Sequence, residues 1–133
     1  MIDPKAPIIP AMGAAGIAIG MKISDVTSVA PFEFKVEDRA DGVRVYRSEM
    51  VDLWVRGDSI FQIMVHGPYE GKLLARIGIG SSLKDVEEHI GPVSLDEEDN
   101  LIIEGVKGLS IEINPETNPS TIEELYIFDP NAR

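Results

Sequence analysis

Apolar and polar residues alternate along several short stretches of this chain, which is the pattern of strands that bury one face. The alternation predicts strands over 43–48, 51–56, 60–65, 101–104, 109–113 and 122–128, with a further short strand or turn over 16–20. The tight turn at residues 56–59 predicts that the second and third strands form an antiparallel hairpin.

Two other stretches have helical spacing. The first runs from Ser24 to Val29 and is ended by Pro31. The second begins at Ser81 or Ser82, where a serine can cap the first turn, and is ended by Gly91-Pro92. Leu83, Val86 and Ile90 form its apolar stripe.

The stretches that precede the two helices resemble each other. Residues 16–26 and 76–86 share apolar anchors, a turn glycine and an Asp-Val pair at one fixed offset. Such self-similarity indicates an internal duplication. It predicts an α+β fold of tandem duplicated units, each a short helix packed on an antiparallel three- to four-stranded meander. We expect an extended leader over 1–12 and units over 13–67 and 68–133, which form one compact domain.

One face of the predicted sheets is expected to be open, since helices cover only one side. In the first unit, the alternation points Val43, Val45, Val51, Leu53, Val55, Phe61, Ile63 and Val65 inward, and Arg44, Tyr46, Asp52, Trp54, Arg56, Gln62 and Met64 outward. In the second unit it exposes Glu104, Ser110, Glu112, Glu124, Tyr126 and Phe128.

Aromatic residues, arginine and methionine are enriched in protein-binding surfaces. We therefore predict partner binding by Tyr46, Trp54, Arg56, Glu112, Tyr126 and Phe128. The alternative is that Trp54, Tyr126 and Phe128 fill a second small core under the leader or under the loop at 67–71.

The charge of the chain narrows the class of partner. Against 12 lysines and arginines stand 23 aspartates and glutamates, a formal net charge of −11. This charge disfavours nucleic acid and anionic membranes and favours a cationic protein partner. The other interpretation is that acidity serves solubility alone.

The composition also bears on the compartment. The chain has no cysteine, which excludes thiol catalysis and disulfides and fits a reducing compartment, so we expect a cytoplasmic protein. Prolines and glycines interrupt the apolar stretch 6–23, which predicts neither a signal segment nor a membrane span.

Catalytic and metal-binding patterns are weak. His66 and His89 are the two histidines, and neither is near a recognisable nucleophile turn. The glycines of 13–20 lack the spacing of a dinucleotide fingerprint and favour a structural turn. The acidic run 96–99 lacks calcium-loop spacing and favours a solvated loop. We expect no catalytic residue, no metal and no cofactor.

The segment Ile79-Gly80-Ser81-Ser82-Leu83-Lys84-Asp85-Val86, followed by Ile90-Gly91-Pro92, has a degenerate first copy at 19–26. This pattern resembles the fold family of beta-lactamase inhibitory protein and the related small envelope lipoproteins. The resemblance implies tandem helix-plus-sheet units whose concave sheet face binds a partner protein. It carries over no individual binding residue.

The sequence thus favours a non-enzymatic protein-binding module, an acidic inhibitor or immunity-type protein that uses an open sheet face. One alternative is a small ligand-binding protein or enzyme with a pocket between the two units, near Gly80, His89 and the acidic loop. Another is a structural subunit that buries the same face in a homodimer.

Overall fold

A computed structural model of the chain describes residues 2–30 and 33–131. The predicted helix stop at Pro31 and the first residue of the leader lie outside these ranges. Within them the elements are β1 Gly13–Ala14, β2 Ile17–Ala18, α1 Ile23–Thr27, β3 Lys35–Asp38, β4 Val43–Arg47, β5 Val51–Arg56, β6 Ser59–His66, α2 Leu83–His89, β7 Val93–Leu95, β8 Leu101–Ile103, β9 Leu109–Asn114 and β10 Thr121–Phe128.

Strands β3 to β10 form one antiparallel sheet of eight strands, in the order β3-β4-β5-β6-β10-β9-β8-β7. Strands β1 and β2 form a separate two-stranded sheet. The predicted α+β fold of tandem helix-plus-meander units is therefore wrong. The protein is mostly sheet, and the two α-helices of the described residues are only five and seven residues long.

The two predicted sheets merge because their longest strands pair with each other. Strands β6 and β10 are each eight residues long, and they pair from His66 opposite Glu124 to Gln62 opposite Phe128. This pairing satisfies the backbone groups of two strands that would otherwise be open edges. One continuous sheet results.

All other elements lie on one side of this sheet. Buried apolar residues of the leader, of β1 and β2, of both helices and of the segment 69–77 belong to a single core cluster. The sheet contributes to it Val51, Leu53, Val55, Ile60, Ile63, Val65, Ile103, Leu109, Ile111, Ile122, Leu125 and Ile127. Tyr69 links two of the segments that pack on the sheet. Its buried hydroxyl accepts a hydrogen bond from the Ala15 amide (2.8 Å) and donates one to the Ala6 carbonyl.

The two similar segments occupy matching places. The amide of Gly20 donates to the Ile60 carbonyl (2.7 Å), and the amide of Gly80 donates to the Ile122 carbonyl (2.9 Å). Both glycines have a φ near 90°, which side chains disfavour, so the shared glycine serves the turn that leads into each helix. The boundaries of the two units remain a prediction.

Helix α2 begins where its sequence indicates. The Ser82 hydroxyl accepts a hydrogen bond from the Asp85 amide (3.1 Å), and the Asp85 carboxylate accepts one from the Ser82 amide (3.3 Å). This reciprocal pair forms a capping box that satisfies two donors at the helix start. Neither helix of the described residues is long and apolar enough to cross a membrane.

Candidate functional site

The side of the eight-stranded sheet that faces away from the core cluster is here termed the open face. Directly opposite residues of antiparallel strands point to the same side, so the register defines its rows. The first row is Asp52, Met64, Tyr126 and Ser110; the second is Val45, Trp54, Gln62 and Phe128; the third is His66, Glu124 and Glu112.

Three apolar side chains of this face are buried although they lie outside the core cluster: Val45, Met64 and Phe128. The leader and the loop at 67–71, which the alternative interpretation placed over this face, pack on the opposite side through Tyr69. The apolar centre of the open face is thus formed from side chains of the sheet itself.

Five of the six predicted binding residues belong to this side of the sheet. Trp54 and Phe128 lie in its second row, Tyr126 in its first and Glu112 in its third, and Arg56 follows Trp54 by two positions in β5. Arg56 and Glu112 are exposed, whereas Trp54 and Tyr126 are half-buried.

The sixth predicted residue, Tyr46, lies on the other side. It is opposite Leu53, packs against the core cluster, and meets Phe34 edge-on with ring centroids 6.1 Å apart. The alternation predicted for β4 was therefore wrong, since Val45 faces Trp54 on the open face. Valine and tyrosine are both acceptable in buried strand positions, so the composition of β4 does not show which of its alternating residues face the core.

Phe61 was also predicted to point inward, and it does not join the core cluster. A register shift places Val55 opposite Ile60 but Trp54 opposite Gln62, so Phe61 is the extra residue of a β-bulge. The Arg56 guanidinium lies over the Phe61 ring at 4.7 Å from its centroid.

A pair of aromatic rings occupies the middle of the open face. The centroids of Trp54 and Tyr126 are 6.1 Å apart, and the rings are tilted by 57°. The Arg47 guanidinium lies 5.8 Å from the Trp54 centroid, within the range of a cation–π contact. Trp54 therefore already has a guanidinium partner from its own chain.

A chain of ionic contacts runs beside these rings. Arg47 donates through Nε to Glu37 and through Nη1 to Asp52, both at 2.7 Å. The Asp52 carboxylate also accepts from the Ser48 amide and contacts His66 Nε2, both at 3.1 Å. The Asp52 side chain is only 4% exposed, so its charge depends on these partners.

These contacts shift the pKa values of Asp52 and His66. The hydrogen bond to Asp52 raises the pKa of His66, with Glu124 adding to the effect, and this outweighs the desolvation that lowers it. Burial acts to raise the pKa of Asp52, but the hydrogen bonds from His66, Ser48 and Arg47 keep it below its usual value. Both shifts favour the charged pair.

These shifts predict a pH dependence of stability. Because the pKa of His66 is raised on folding, the stabilisation is fully present below the unfolded value of about 6.5 and is lost as the pH rises through the folded pKa. We expect the free energy of unfolding to fall by less than about 1 kcal/mol over this interval, since His66 is partly exposed. Urea unfolding at a series of pH values measures this.

The matched variants for that experiment are His66→Gln and His89→Gln, because His89 is exposed and outside the network. The decline attributed to His66 must disappear in His66→Gln and persist in His89→Gln. A decline of the same size in both variants would contradict the assignment.

A groove opens beside the third row, where the end of β6 meets the start of β10. It encloses about 380 Å³ and is lined by His66, Gly67, Ile79, Gly80, Asn114, Thr121, Ile122, Glu123 and Glu124. The two halves of the sheet thus meet at a groove with a mixed polar and apolar lining next to Gly80. The alternative interpretation placed a pocket near Gly80, His89 and the acidic loop. The lining of this groove includes Gly80 but neither His89 nor any residue of 96–99.

The remaining candidates are at the surface. His89 is exposed at the end of α2, with Nδ1 3.4 Å from Arg76 Nη1. In the acidic loop, the Asp96 carboxylate accepts hydrogen bonds from the Glu98 and Asn100 amides and so fixes the turn between β7 and β8. Ligand atoms of Asp85, Glu88 and His89 lie within 4.8 Å of one another on α2, where Asp85 already caps the helix.

The sequence-based choice of binding residues omitted Arg47, Asp52, His66 and Glu124. The sequence contained a signal for this side of the sheet, because the alternation places Asp52, Met64 and Glu124 on the outward face of their strands. Extending the β6 alternation by two residues from Met64 reaches His66.

The solved structures that share this fold include the following two. The first is a cysteine-rich secretory protein from Staphylococcus aureus, with a TM-score of 0.62 and 14% identity; the match covers 98% of this chain and 50% of that protein. The second is the uncharacterized protein yfeY from Escherichia coli, with a TM-score of 0.59 and 10% identity; the match covers 93% of this chain and 99% of that one.

At these identities the likeness shows the fold alone. This chain spans about half the length of the staphylococcal protein. No protein-family model matches the sequence, and no curated protein matches it. The names of the two neighbours refer to no beta-lactamase inhibitor, so the resemblance to that family remains a prediction.

Proposed function

We propose that this protein is a non-enzymatic binding module that docks a cationic protein partner on the open face of its sheet. The observation that carries the proposal is the Trp54–Tyr126 pair, which lies on the side of the sheet that the helices, the leader and the loop at 67–71 leave uncovered. Tryptophan, tyrosine and arginine dominate the binding energy of protein interfaces. A cytoplasmic location and an inhibitor or immunity-type role belong to the same proposal.

The distribution of charge supports a cationic partner. Residues 81–131 contain thirteen carboxylates and two lysines, a formal charge of −11 that equals that of the whole chain. Residues 35–66 contain six carboxylates and five basic side chains, a charge of −1. A basic partner is attracted to the half of the sheet formed by β7 to β10, whereas a second copy of this chain would be repelled from it.

The proposal is tested by substituting the two rings together. Proteins retained by the immobilised chain are identified, and binding is then reconstituted with each purified candidate. We expect Trp54→Ala with Tyr126→Ala to weaken binding of the true partner at least about 30-fold, because hot-spot aromatics contribute 2 kcal/mol or more.

The control is Leu74→Ala with Leu95→Ala, which removes exposed apolar surface elsewhere. Circular dichroism and urea unfolding are used to check that both double variants remain folded. Equal binding by both double variants would contradict the proposal, and sedimentation of the free chain as a stable dimer would favour the homodimer instead.

A further inference from the structure

The third row of the open face contains an arrangement that weakens the free protein. Glu112 and Glu124 are directly opposite each other on β9 and β10. Opposite side chains in a sheet have Cβ atoms about 5 Å apart, and like charges at these positions are destabilising. Among residues 2–30 and 33–131, no lysine or arginine forms an ion pair with either carboxylate.

The neighbouring groups neutralise this pair only in part, since Glu124 attracts the charged form of His66. His66 continues the row opposite Glu124, but its Nε2 contacts Asp52. The Glu124 carboxylate accepts a hydrogen bond from the Tyr126 hydroxyl (2.9 Å), which is uncharged. The arginines of β4 and β5 on the open face are engaged, Arg47 with Glu37 and Asp52 and Arg56 with Phe61. Proteins tend to break a local rule of stability, such as the separation of like charges, at their functional sites.

We propose that Glu112 and Glu124 receive an arginine side chain of the protein partner, whose guanidinium lies between the two carboxylates. The inference rests on the proposed function and names the group that the partner supplies. Arginine fits better than lysine because its planar guanidinium forms bidentate pairs with carboxylates and stacks on aromatic rings. Tyr126 provides such a ring beside Glu124, as Trp54 does for Arg47.

The surroundings of the row suit a side chain that enters from outside. The groove of about 380 Å³ adjoins Glu124 and His66, and its lining includes the polar residues Asn114 and Thr121. The lining contains no lysine or arginine. Glu112 is exposed, so the row remains accessible in the folded chain.

The probe is the peptide acetyl-Gly-Arg-Gly-amide, and the control peptide carries citrulline, which keeps the shape of arginine without its charge. Binding is followed by the fluorescence of Trp54, the one tryptophan of the chain. We expect the arginine peptide to bind and the citrulline peptide to bind about tenfold more weakly or less, since hydrogen bonds between charged groups are the strong ones. Equal binding of the two peptides would overturn the inference.

The matched protein variants are Glu112→Gln with Glu124→Gln, and Glu97→Gln with Glu98→Gln in the exposed loop after β7. Both pairs change the net charge equally. We expect only the first pair to weaken binding of the arginine peptide and of the partner, by about tenfold. In the free protein, Glu112→Gln alone is expected to raise the urea midpoint, because it removes repulsion without removing a hydrogen bond.

Equal losses in both pairs would show that overall acidity, rather than this row, attracts the cation, and would overturn the inference. Loss of partner binding in the Trp54 and Tyr126 variant, with no loss in the carboxylate variant, would overturn the arginine site and leave the proposed function standing. Retention of partner binding in both would overturn both proposals.

Discussion

Replacing Asp52 by alanine is expected to lower the free energy of unfolding by about 2–4 kcal/mol. The carboxylate is nearly inaccessible to water and holds Arg47, His66 and the Ser48 amide together. Its removal leaves a guanidinium and an imidazole in a partly buried site without their counter-charge. The partners retain some contact with water, which places the loss below that of a fully buried pair.

Urea unfolding of Asp52→Ala and Glu49→Ala measures this effect. Glu49 is exposed, only three residues away and outside the network, so its replacement is expected to change stability by less than about 0.5 kcal/mol. The Asp52 variant should also lose the pH dependence assigned to His66. An Asp52 variant as stable as the Glu49 variant would show that the network contributes little.

Leu53→Ala is expected to destabilise the protein by about 2–5 kcal/mol, whereas Trp54→Ala costs only about 1 kcal/mol. These neighbours in β5 point to opposite sides of the sheet. Leu53 is fully buried in the core cluster, so its truncation leaves a cavity. Trp54 is half-buried on the uncovered side and loses mainly its contacts with Tyr126 and Arg47.

Comparing the losses of stability in these two variants distinguishes a binding surface from a second core. In a second core, truncating the larger side chain, Trp54, would give the larger loss of stability. Thermal or urea unfolding of the two variants under the same conditions is sufficient. A loss for Trp54→Ala equal to that for Leu53→Ala would indicate that Trp54 is retained for stability, contrary to the proposed function.

The sequence predicted most elements of this fold but not their assembly. The alternation in β5 and β9 and the capping serine of α2 are local signals, and the strands and the helix formed at those positions. The pairing of β6 with β10 depends on contacts between residues about sixty positions apart. Periodicity carries no information on which strands are neighbours, and so the single sheet was missed.

The candidate site was predicted in part for a similar reason. Trp54, Tyr126, Phe128 and Glu112 follow regular alternation in long strands, and their placement on one face was read directly from it. Tyr46 lies in a strand near the edge of the sheet, where both faces contain apolar residues. The alternation there does not show which residues face the core. Asp52 lies near the start of β5, and His66 is the last residue of β6. Only the register of these two paired strands brings the two side chains into contact.

The most direct test of the account is acrylamide quenching of Trp54 fluorescence in the free protein and in the reconstituted complex. The single tryptophan of the chain lies in the centre of the open face, so its accessibility reports on that face alone. We expect a saturating amount of the cationic partner to reduce the quenching constant strongly. A complex that forms at full stoichiometry while Trp54 remains as accessible as in the free protein would contradict it.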